Sequence, residues 1–186
     1  MTAGLRKTAA LLALAVMFTG CSAPAESESG AALPDVVGSM DIRYAEQFSV
    51  DYLADGFALA EVADGRRYLI IPDGGEVPEQ LPEDVTVISQ PENIYLASSS
   101  SMDLFSSLDC LGDILASSTP ESGWKLPEIA QAMADEDILY AGKYSSPDIE
   151  LLMSEGCDLA IENMMIYHSP KTAEQIESCG IPVFIE

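Results

Sequence analysis

Hydrophobic positions change rhythm along this chain. Between Phe48 and Ile71 they fall in short runs: FSVDYL over 48–53, FALAEVA over 57–63 and RRYLII over 66–71. Strand side chains point alternately to opposite faces, so the period of two in the first run predicts a strand. Asp64-Gly65 joins the next two runs and predicts a hairpin. Pro72-Asp73-Gly74-Gly75 ends it. The acidic, proline-rich stretch down to Asp84 reads as loop. Short strands are expected at Val85–Ile88 and Ile94–Ala97.

Strands and helices then alternate. Leu104, Phe105, Leu108 and Leu111 recur at helical spacing behind Ser98-Ser99-Ser100-Ser101, and Gly112 is placed to end or kink that helix. Leu126–Ala134, started by Pro127-Glu128, is a second helix. Ile138–Tyr140 is a strand with Ala141–Tyr144 as its exit loop. Ser146-Pro147-Asp148 combines an N-cap serine, a proline at the first helical position and an acid in the first turn. Gly156 ends that helix as its C′ residue. Leu159–Ile161 is a strand. Ser169-Pro170 caps a further helix that Gly180 ends, and Ile181–Ile185 is the last strand. Short strands between capped helices imply parallel pairing through right-handed crossovers. The predicted fold is α/β: a three-layer lobe with a mostly parallel sheet flanked by helices. The N-terminal antiparallel β-hairpin lies at one edge of that sheet or ahead of it.

The first residues change the picture of where this lobe sits. Arg6 and Lys7 precede a short apolar run, Ala9–Phe18, well below the ~20 residues of a membrane span. Phe18-Thr19-Gly20-Cys21 resembles a lipobox. The expected processing is cleavage after residue 20 and lipidation of Cys21, with several acyl chains anchoring the protein to the membrane on the outer side of the cell. Residues 21–39 are small, polar and interrupted by Pro and Gly, the composition of a flexible tether. The lobe is then expected over 40–186. The formal net charge of −23 excludes nucleic acid as a partner, because binding there needs Lys and Arg to replace counterions. Cys110, Cys157 and Cys179 lack zinc-like spacing, and the chain has one histidine. Cys157 and Cys179 are read as buried thiols, with a disulfide as the alternative. There is no G-x-S-x-G, H-E-x-x-H, phosphate loop or G-x-G-x-x-G, so no enzyme is expected.

In an open parallel sheet, ligands bind outside the carboxyl ends of the strands. Three exits are legible: 98–102, 142–145 and 162–168. They should share one edge. This accounts for CDLAIENMMIYHSP over 157–170, where an apolar strand gives way to soft, aromatic and ionisable side chains.

Here the sequence resembles a family. Gly142, Ser146-Pro147-Asp148-Ile149-Glu150, Gly156-Cys157-Asp158-Leu159-Ala160-Ile161 and Gly180-Ile181-Pro182-Val183 are similar, in order and spacing, to the N-terminal lobe of substrate-binding lipoproteins. These proteins serve ABC importers of ferric siderophores, haem and cobalamin. The resemblance covers roughly residues 40–186. It implies capture of a small-molecule metal chelate and delivery to an ABC permease and its ATPase, with no intrinsic cofactor and no protein-bound metal. Family members have two lobes joined by a long helix, whereas this chain stops at Glu186, after the last strand of the first lobe.

The exits supply the candidate ligand contacts. Tyr144 and Tyr167 offer flat faces and hydroxyls. His168 either reaches a metal centre or ligand oxygen, or bonds nearby backbone. Met165, beside Met164, suits an irregular ligand or fills core. Glu162 and Asn163 stand where the strand ends, and Lys143 is the one base among the exits. Ser99, Ser100 and Met102 open a helix whose N-terminus favours negative groups. Asp103 either compensates the macrodipole or, as the resemblance implies, docks onto the permease. Trp124 is expected to pack over the lobe. The reading from a different class is a single-lobe surface lipoprotein acting as an interaction or scaffold domain.

Overall fold

The computed structural model describes residues 32–186. The expected signal segment 1–20, Cys21 and the first part of the tether lie outside the described residues. The tether expectation needs correcting at its other end. Val36–Ser39 forms a strand, β1, paired antiparallel with β2 (Phe48–Leu53). The folded unit therefore begins before Met40. β1 is an edge strand with Val36 and Val37 exposed, so it carries no burial signature in the sequence.

The predicted hairpin forms between β3 (Ala58–Val62) and β4 (Arg67–Ile71), around Gly65 at φ 88°. It is part of something larger. β2 pairs antiparallel with β3, and β5 (Val85–Ser89) pairs parallel with β4. The result is a five-stranded sheet in the order β1-β2-β3-β4-β5. Leu53, Phe57, Leu59, Leu69 and Ile71 form a small core on one of its faces.

A second sheet carries the strand–helix alternation. It contains β6 (Ile94–Leu96), β7 (Ile114–Ser117), β8 (Leu139–Tyr140), β11 (Leu159–Glu162) and β12 (Val183–Ile185). Its order is β12-β11-β6-β7-β8, and every pair is parallel. β9 (Gly142–Lys143) and β10 (Ser146–Pro147) form a separate two-residue ladder after β8. The helices are α1 (Ser99–Ser107), α2 (Pro127–Ala134), α3 (Ile149–Ser154) and α4 (Pro170–Ser178). The α/β lobe expected from the sequence is therefore present. Among the described residues, no helix is long and apolar enough to cross a membrane.

Two details differ from expectation. Ser146-Pro147 is the strand β10, and Asp148 is the N-cap of α3, its side chain accepting from Leu151 N–H at 3.0 Å. α1 ends at Ser107, with Asp109 at φ 59°, and the chain then enters β7, a strand that the residue pattern did not announce.

The parallel sheet is buried on both faces. On one, Tyr95, Ala116, Ala160, Val183 and Ile185 meet Leu152 of α3 and Ala173 and Ile176 of α4. On the other, Ile94, Leu96, Ile114 and Leu159 meet Met102 of α1, Ile129 of α2, and Ala60, Tyr68 and Ile88 from the first sheet. Tyr68 is the joint between the sheets. It is fully buried, its ring lies 4.8 Å from that of Phe184, and its hydroxyl accepts from Ile185 N–H at 3.4 Å. Cys110, Cys157 and Cys179 are free thiols.

Candidate functional site

Parallel pairing places the carboxyl ends of β12, β11, β6, β7 and β8 along one edge. The three exits named from the sequence leave from that edge. What they present there differs residue by residue.

The β6 exit is a serine cradle. Ser98 is the N-cap of α1 and accepts from Ser101 N–H. Ser98, Ser100 and Ser101 also donate their hydroxyls to the Glu186 side-chain carboxylate, Ser100 at 2.9 Å. Burial opposes the charge on Glu186, but the bonds from Ser101, Ser98 and Ser100 outweigh it and hold its pKa below the ordinary carboxylate value. An anion at a helix N-terminus is the expected partner for those donors. The anion here is the chain's own. Ser99 and Ser100 are exposed, as is Asp103 one turn on. Met102 needs correcting as a ligand contact. It is fully buried in the core beneath α1, because the helix turns it away from the edge and towards Leu96 and Ile129.

Removing one donor tests the cradle. Ser101→Ala should lower stability by about 1–2 kcal/mol, since a charged acceptor loses a bond in a partly buried place. Chemical denaturation at pH 7 reads this. Because the pKa of Glu186 is lowered on folding, its contribution is present at neutral pH and is lost as pH falls through the folded value. The difference between wild type and S101A should therefore shrink in acid.

The β8 exit presents Lys143 exposed and Tyr144 half-buried against the α3–α4 core. Gly142 takes φ 83°, and a Cβ there would meet the Ser146 carbonyl oxygen at 3.0 Å, so the close β9–β10 ladder requires glycine.

The β11 exit is the densest. Asn163 caps a 3-10 turn over Met164–His168, its side chain accepting from Met165 N–H at 2.8 Å. Met164, Met165, Tyr167 and His168 are exposed, and Ile166 is buried beneath them. The Tyr167 hydroxyl donates to Asp64 of the β3–β4 turn. Burial and Asp64 together push its pKa up to about 12. Asp64 also accepts from Arg66 N–H at 3.0 Å, and the Arg66 guanidinium lies 3.0 Å from Glu177 of α4. A polar chain therefore runs from the first sheet to the exit turn and to α4.

Glu162 is the unusual member. Its side chain has no exposure, and neither carboxyl oxygen has a hydrogen-bond partner among the described residues. It follows Ala160 by two positions and pairs with Ile185, which sets it on the α3–α4 face. The Tyr95 hydroxyl on the same face is also buried without a partner among the described residues. Burial raises the Glu162 pKa from 4.5 to about 8, and the Tyr95 phenol is raised by burial and then by Glu162. Glu162 is therefore a neutral acid at pH 7, poised rather than ionised.

Tyr95 and Glu186 carry no signal in the sequence as site residues, and Asp64 is legible there only as a turn residue. Tyr95 sits in the apolar run IYLA and reads as core. The two-residue step from Ala160 to Glu162 is the signal that would have marked Glu162 as inward-facing. Trp124 packs against the α1–α2 core and donates to the Thr119 carbonyl at 3.2 Å, as expected of a packing residue. Among the described residues, no group of three or more His, Cys, Asp or Glu side chains is placed to hold a metal ion. An apolar groove of about 340 Å³ runs beside the cradle, lined by Leu104, Phe105, Leu108, Ile161 and Phe184.

No protein-family model and no curated protein matches this sequence.

Proposed function

We propose that this chain is the ligand-facing lobe of a lipid-anchored solute-binding protein that serves an ABC importer. It captures an iron chelate, haem or a cobalamin-like molecule and hands it to a membrane permease without catalysing a reaction. The observation that carries the reading is the grouping at one sheet edge. Soft and aromatic side chains (Met164, Met165, Tyr167, Tyr144), hydroxyls, an amide and one lysine are all carried by segments that leave the same edge of the sheet. Such an edge suits a bulky chelate with an apolar body and several polar atoms. Asp103, exposed one turn into α1, is the proposed permease contact. Lipidation of Cys21 supplies the anchor.

The test uses the product of the complete reading frame. Tyr144→Ala and Tyr167→Ala should each weaken binding of a ferric siderophore, haem or cobalamin by about tenfold, the loss of one aromatic contact. Equilibrium titration reads this. A scaffold domain would tolerate both changes, and unchanged affinity in both variants would contradict the reading.

A further inference from the structure

We propose that the Met164–His168 turn is a hinged cover over the buried Glu162–Tyr95 pair, and that loss of the Glu162 carboxyl proton to solvent opens it. The geometry carries the argument. Among the described residues, three polar atoms, both Glu162 carboxyl oxygens and the Tyr95 hydroxyl, are sealed on one sheet face without partners. An uncharged acid tolerates such a place far better than a carboxylate does, because the ion needs donors or water.

No cation faces Glu162, and the Tyr95 hydroxyl, a donor on the same face, makes no bond to either carboxyl oxygen. β6 offers Tyr95, and β12 offers Ile185. From α3 comes Leu152, and from α4 come Ala173, Ile176 and Thr172, whose hydroxyl is committed to the Ser145 carbonyl at 3.0 Å. The other titratable groups near the pair are Tyr140 at the end of β8, Tyr144, half-buried after it, and Cys157 ahead of β11. None is cationic. The charged residues of these helices, Glu150, Glu155, Lys171, Glu174 and Glu177, are exposed on their outer sides. The Glu186 side chain is turned to the serines. Burial has already raised the pKa to about 8, so the proton leaves within an ordinary buffer range.

The cover is lightly held. It is one 3-10 turn, with Ile166 N–H on the Asn163 carbonyl at 3.0 Å and Ser169 N–H on the Ile166 carbonyl at 2.7 Å. Ile166 is its single buried side chain, and Tyr167–Asp64 is its latch to the first sheet. Ile166 is buried in the same cluster as Tyr95, so lifting this turn opens that cluster at the strand end that carries Glu162.

Amide hydrogen exchange on the full chain at pH 6 and pH 9, corrected for intrinsic rates, reads the cover directly. Protection of Met165, Ile166 and Ser169 should fall at least tenfold between the two pH values and stay well below that of Ala160 in the sheet at both, because the turn opens without global unfolding. Glu162→Gln should abolish the fall, and Glu162→Met serves the same purpose if the amide variant folds poorly. Asp64→Asn should lower protection of the turn at both pH values. Equal protection of the turn at pH 6 and 9 in the wild type, or a fall that survives in both Glu162 variants, would overturn the proposal.

Discussion

Glu162→Met should make the protein more stable at pH 8 and flatten its stability between about pH 5 and 8. The folded state holds the Glu162 proton up to about pH 8, while the unfolded chain releases it near the ordinary value of 4.5. Across that window the folded state binds more protons than the unfolded state, so stability falls as pH rises and levels off above the folded pKa. At about 1.4 kcal/mol per unit, the fall is on the order of 3–5 kcal/mol. That is a large share of a typical domain stability of about 5–15 kcal/mol. Methionine is unbranched and has no group to ionise, so it fills the space without the titration. Denaturant melts of both proteins at pH 5, 6.5 and 8 would show the two curves diverging with pH. Parallel curves would mean that Glu162 is solvated or paired.

Tyr68→Ala should be the most damaging single change in the lobe, at about 3–5 kcal/mol by the usual scale for a buried aromatic. Tyr68 lies in β4 but belongs to the core under the parallel sheet, with its ring against Phe184 and its hydroxyl on the Ile185 amide. Truncation opens a cavity between the sheets and leaves that amide without its acceptor. Tyr68→Phe removes only the hydroxyl and should cost about 1 kcal/mol. A drop in midpoint with alanine several times that with phenylalanine supports Tyr68 as the joint. Equal, small effects would mean that the sheets do not depend on this contact.

These two residues show what the sequence disclosed. Asp64-Gly65 between apolar runs disclosed the hairpin, because that dipeptide accepts the turn geometry. Pro170 and the glycines at 156 and 180 disclosed helix limits for the same local reason, the latter at φ 75° and 82°. Partner choice was hidden. β5 has the apolar run of a buried strand whichever sheet takes it, and it joined β4. β7 is only four residues long, ILAS, too short for its period to show, so no strand was announced after Gly112. At the site, the shared edge followed from parallel pairing, while burial within it did not. Met102 lies in the first turn of α1 and Glu162 ends β11, and a single residue of phase decides whether each faces solvent or core. Glu186 was unreadable as a cradle plug, since its three serines are more than eighty residues away in the chain.

The proposed division of labour is a rigid parallel sheet that positions three exits, one filled by Glu186, one glycine-tightened, and one covered by a light turn. The turn can therefore exchange by a local opening that leaves the sheet folded, as lightly held segments generally do. The most direct test of the binding-protein reading is an equilibrium titration of the complete reading-frame product with haem, cobalamin and a ferric siderophore, followed by Trp124 fluorescence and by calorimetry. The reading predicts saturable binding of one of these at one site per chain. Absence of saturable binding to all three would contradict it and leave the surface scaffold as the better description.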